Sequence, residues 1–134
     1  MLRNVLGVIA GIVVGIAVVS AIEFGGHQIY PPPPGIDPMD PEDLKAWLEV
    51  MPIGAMVAVL IAHAVGSFAG TSAAVLAAQR RALPGWIVGA VFLAFTVMNL
   101  FMIPSPPWFI AADLALVVLA PVLAVRLFSR RAAA

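Results

Sequence analysis

Val5-Leu6-Gly7-Val8-Ile9-Ala10-Gly11-Ile12-Val13-Val14-Gly15-Ile16-Ala17-Val18-Val19-Ser20-Ala21-Ile22-Glu23-Phe24 is an apolar run of 20 residues with one acid near its end. At about 1.5 Å per residue, a helix of this length spans roughly 30 Å, the thickness of a bilayer's hydrocarbon core. Gly7, Gly11 and Gly15 stand four apart and so share one stripe of that helix. Glycine at this period lets a second helix approach to backbone contact, and in lipid such contact is what holds helices together. The run therefore predicts a transmembrane helix built for a tight neighbour. Arg3 and Val19-Ser20-Ala21 loosely fit a secretion signal. The run is longer than the apolar region of such a signal, so it reads as a retained span.

Composition agrees. Hydrophobic residues make up 63% of the 134-residue chain and charged residues 10%, against about 25% charged in soluble domains. The net charge is zero and gives no reason to expect nucleic-acid binding. There is no cysteine, which excludes disulfides, thiolate metal sites and cysteine nucleophiles. Phosphate loops, nucleophile elbows and HExxH motifs are missing, so no catalytic residue is assigned and a non-enzymatic role is expected.

Three further apolar segments follow, at Pro52–Ala78, Gly85–Ile103 and Trp108–Phe128. With Val5–Phe24 they predict one transmembrane domain over residues 1–134: an all-α, integral membrane four-helix bundle with an outer loop at 25–51. Gly25-Gly26 is read as the end of the first helix. Arg3, Arg80, Arg81, Arg126, Arg130 and Arg131 fall on one side of this arrangement and only Lys45 on the other, which places both termini in the cytoplasm. Six arginines against one lysine, in an alanine-rich chain, point to a bacterial inner membrane. Trp86 on the inner side, and Tyr30, Trp47 and Trp108 on the outer, suit interfacial aromatic belts.

In the outer loop, Pro31-Pro32-Pro33-Pro34-Gly35 favours stiff polyproline II followed by a turn. Asp40 is a good N-cap, Pro41 suits the first helical position, and Glu42 and Asp43 complement the helix dipole. Leu44, Trp47, Leu48 and Met51 follow at helical spacing, so a short amphipathic helix is expected on the outer membrane surface.

Tyr30-Pro31-Pro32-Pro33-Pro34-Gly35-Ile36-Asp37, Pro41-Glu42, Met102-Ile103-Pro104 and Pro107-Trp108-Phe109 resemble a group of small bacterial four-helix membrane proteins of unknown function. The likeness covers most of the chain, but it consists of loop punctuation and implies no catalytic residue. In size and helix count the chain is also similar to small multidrug-resistance transporters, which carry a membrane-embedded glutamate in the first helix. Here Glu23 lies near the outer end of that helix, and the outer loop is much longer.

The second span carries small residues every fourth position: Gly54, Ala58, Ala62, Gly66, Gly70, Ala74 and Ala78. The Ala58/Ala62/Gly66/Gly70 part is the expected partner of the Gly7/Gly11/Gly15 stripe. Beside this ladder run His63, Ser67 and Thr71, whose hydroxyls are expected to bond back to the carbonyl one turn earlier. Helical rise from the basic anchors sets Glu23, His63, Asn99 and Asp113 at similar depth, with His27 just above. Charges in a membrane normally face the bundle interior and find partners.

This polar layer is open to three readings: a structural clasp, a proton or ion site, or a divalent-metal site. Glu23, His27, His63 and Asp113 are acceptable ligands, Glu23 and His27 have i, i+4 spacing, and Met51, Met56, Met98 and Met102 offer thioethers. No metal is assigned, and no cofactor is expected. Lipid is the certain neighbour. Self-association or membership of a larger membrane complex is expected from the small-residue ladders. The first functional reading is an accessory or interaction protein; the alternative is a small proton- or cation-coupled transporter or channel.

Overall fold

The computed structural model describes residues 1–130; Arg131 lies outside the described residues. Five helices follow one another: α1 Leu2–Ile29, α2 Pro41–Val50, α3 Ile53–Ala77, α4 Ala82–Met102 and α5 Pro107–Phe128. Four of them, α1, α3, α4 and α5, are long and apolar enough to cross a membrane. The protein is thus an integral membrane four-helix bundle, with the short α2 between the first two spans. Its large outward side chains, among them Ile9, Val13, Leu119 and Leu123, are more than half exposed and form the lipid-facing surface.

Proline and glycine move the boundaries. α1 runs through Gly25-Gly26, which does not end it, and stops at Tyr30, just before Pro31. A glycine costs a helix roughly 0.5–1 kcal/mol relative to alanine, and packing offsets this: Gly26 lies against Ala58, and Tyr30 against Gly54. α4 begins three residues before Gly85 because Pro84 sits in the first turn, where its missing N–H would have had no partner. The turn from α3 to α4 uses positive φ at Gln79 and Arg80, and the Arg80 N–H donates to the Val75 carbonyl at 2.7 Å.

α1 and α3 are antiparallel along their whole lengths, and the small-residue ladders are their seam. A Cβ on Gly11 would stand 2.6 Å from the Gly70 carbonyl, and one on Gly70 the same distance from the Gly11 carbonyl. Gly7 meets Ala74 and Ala78, and Gly15 meets the Gly66 carbonyl. The register differs from the expected one. Gly7, near the Arg3 end of α1, must meet the part of α3 near Arg80, so Gly66, Gly70, Ala74 and Ala78 oppose the stripe. Ala58 instead meets Gly26, and Ala62 is fully buried. The stripe also receives α4: Pro84, Val88 and Phe92, four apart, fill the spaces over Gly7, Gly11 and Gly15.

α3 touches all three other spans, whereas α1 and α5 lie on opposite sides of it and share no contact among the described residues. On α5, Pro121 nests against Gly89. Ser67 and Thr71 are fully buried and have no hydrogen-bond partner, so neither bonds back along its helix as expected. Ser72 does, to the Phe68 carbonyl at 2.7 Å. Arg3, Arg80, Arg81, Arg126 and Arg130 gather at one end of the bundle, where Arg3 bonds Gln79 and the Arg130 N–H donates to the Arg80 carbonyl. Lys45 and α2 lie at the other end.

Candidate functional site

At the α2 end the spans part around a cavity of about 280 Å³. Its floor is polar. His63 Nδ1 lies 2.9 and 3.1 Å from the two carboxylate oxygens of Asp113, and His63 Nε2 lies 3.7 Å from Glu23 Oε1. Three spans thus contribute one titratable group each to a single chain of contacts. The Asp113 side chain is 2% exposed, that of His63 14% and that of Glu23 37%, so access rises from Asp113 to Glu23.

With Asp113 as the acceptor, His63 donates through Nδ1–H and turns Nε2 toward Glu23. Adding a proton at Nε2 creates an imidazolium between two carboxylates. A cation arriving from the cavity would compete with that proton for Glu23. The arrangement thus sets one imidazole between two carboxylates at the floor of the cavity.

Asn99 lines the same cavity, but among the described residues its amide makes no hydrogen bond to the three. His27 also lines it, one turn above Glu23 on the extended α1. Its Nδ1 lies 2.8 Å from the Glu23 backbone carbonyl, so the Glu23/His27 pair is not a chelate. Among the described residues no three His, Asp or Glu side chains converge on a point fit for a metal ion. The methionines divide: Met51 and Met56 line the cavity, while Met98 and Met102 are 51% and 71% exposed.

The short helix α2 covers the cavity. Asp40 caps the helix by accepting from the N–H groups of Glu42 and Asp43. The apolar face so formed, Leu44, Trp47, Leu48 and Met51, lines the cavity. Trp47 is accordingly a wall of the site. Phe109, stacked edge-on against Trp108 at 5.9 Å, forms another wall. The sequence carried the amphipathic signal for this cover, but amphipathicity does not distinguish a lipid surface from a cavity beneath the helix.

A second opening reaches the same floor. A cleft of about 190 Å³ between α1 and α4 is lined by Ile16, Val19 and Ser20 on one side and Phe92, Phe95 and Thr96 on the other. Glu23, His63 and Asn99 border both this cleft and the larger cavity.

No family model, curated protein or solved structure matches the chain.

Proposed function

We infer that the protein is a small membrane carrier that takes a cation from the α2 side and exchanges it with a proton at Glu23, His63 and Asp113. The observation that carries this reading is the cavity itself, which opens a path from the α2 end to a buried acid–histidine–acid chain. A clasp serving only to fix helix packing needs no cavity above it. Charge supports the choice of ligand. All seven acids, Glu23, Asp37, Asp40, Glu42, Asp43, Glu49 and Asp113, lie in the α2 half of the bundle, with Lys45 their single counterpart. Such a field concentrates cations at the mouth.

The orientation that fits puts the arginine end in the cytoplasm and α2 outside; a bacterial inner membrane suits this arrangement. The accessory-protein reading relied on small-residue ladders being available to a partner. Those ladders are engaged within one chain, so association with itself or a complex would have to use another surface.

The test uses purified protein in liposomes with an entrapped pH dye. A methylammonium gradient should drive protons in the opposite direction faster than in protein-free liposomes, where neutral methylamine crosses unaided. Glu23→Gln and Asp113→Asn should abolish that movement while keeping the fold. Wild-type protein that moves protons no faster than protein-free liposomes sinks the carrier reading.

A further inference from the structure

The cleft between α1 and α4 asks for an occupant that the cavity under α2 does not. It faces the lipid side of the bundle: its rim residues Ile16 and Phe95 are each 48% exposed on the apolar outer surface. Towards the basic end it is closed where the Phe92 ring packs over Gly15. Towards the α2 end it terminates at Glu23, His63 and Asn99. From Ile16 to Glu23 it runs about 10 Å along α1. The walls are thus apolar at one end and acidic at the other, in the sense of a molecule lying along the membrane normal.

We propose that this cleft is a lateral mouth of the same site, and that its ligand is a single-chain amphiphilic amine from the bilayer, with its ammonium head on Glu23 and its alkyl chain between α1 and α4. The proposal rests on the reading of Glu23 and His63 as a cation site and names the class of cation. Glu23 is the one carboxylate on the cleft wall, and Asp113, 2.9 Å from His63 Nδ1, backs the histidine with a second acid, so the end of the cleft favours an ammonium over a phosphate headgroup. Asn99 offers a carbonyl acceptor beside Glu23 for a second ammonium hydrogen. An alkyl chain gains by leaving its polar end in the acidic pocket while its body stays in contact with the lipid-facing wall. A bare metal ion would use neither feature.

The experiment uses the full chain in phosphatidylcholine liposomes and dodecylamine carrying a diazirine midway along its chain. After irradiation, peptide mapping should place adducts on residues 16–20 and 92–96. Unlabelled dodecylamine should suppress them, and dodecanol should not. Glu23→Gln should lower cleft labelling about tenfold, the scale of one lost charge-assisted contact. Ser20→Trp, a substitution at an exposed cleft position, should lower it as well. Labelling that survives Glu23→Gln, or that dodecanol suppresses equally, overturns the proposal and makes the cleft plain lipid-facing surface. In that event, methylammonium-driven proton movement would show that the carrier reading stands alone, and its absence would remove both.

Discussion

The two halves of this bundle solve opposite problems with the same helices. In the basic half, α1, α3 and α4 approach until a Cβ at Gly7 or Gly11 would meet a backbone carbonyl of α3, and one at Gly15 would meet the Phe92 ring. In the α2 half the same spans separate around a cavity with titratable side chains at its floor. Close contact in one half holds the spans together, which leaves the other half free to be open. In lipid, where apolar surface gains nothing by leaving the solvent, that division of labour needs the small residues to be concentrated at one end.

The largest effect should come from filling the closed half. Gly11→Leu drives a side chain into the Gly70 carbonyl and the Ala74 side chain, where no rotamer change relieves the clash. The cost should exceed the 3 kcal/mol or so of ordinary overpacking, and little folded protein should survive detergent extraction. Asp113→Leu tests the open half. It strands the His63 Nδ1–H inside the bundle and should cost about 3 kcal/mol in detergent unfolding. Asp113→Asn keeps an acceptor for that hydrogen and should cost closer to 1 kcal/mol. Equal losses for the two variants would mean that the hydrogen bond contributes nothing to packing.

Smaller effects sharpen the contrast. Trp47→Ala removes a wall of the cavity from a helix whose backbone packs on no other, so stability should fall by no more than about 1 kcal/mol. Access of water-soluble quenchers or carbodiimide to Glu23 should rise. Gly25→Ala should stabilise by about 0.5–1 kcal/mol, since a Cβ there meets nothing within 4 Å. A stabilised Gly25→Ala beside a collapsed Gly11→Leu would show that glycine serves close approach in one half only. Least disruptive are single cysteines in this cysteine-free chain. Met39→Cys and Arg130→Cys should leave the melting temperature unchanged and label from opposite sides of intact membranes.

Much of the closed half was legible in the sequence because its physics is periodic. Four-residue spacing of glycine and alanine on two apolar runs identifies which faces meet, and only the register, offset by two turns along α3, required the paired helices. The row Pro84, Val88 and Phe92 escaped notice because its members differ in type and share only their spacing. The open half was legible as an inventory. Glu23, His63, Asn99 and Asp113 could be set at one depth by counting rise, but rise says nothing of azimuth. The His63–Asp113 bond, the retreat of His27 onto its own backbone, and the placing of Trp47 over the site all depend on how the helices face. Gly25-Gly26 misled in a plain way: two glycines weaken a helix in isolation, yet continued packing of Gly26 and Tyr30 on α3 carries α1 past them.

The pairing of α1 with α3 also sets an order of events during synthesis. α1 enters the bilayer before anything exists that can cover Gly7, Gly11 and Gly15. The ribosome must first make the proline-rich connection and α2, and only then the Gly66–Ala78 segment that fits the stripe. The α1–α3 hairpin is therefore the first pair of spans that synthesis can seat face to face, and both are complete once Arg80 and Arg81 have emerged. α4 and α5 follow as a second hairpin, which brings Phe92 over Gly15 and Asp113 to His63.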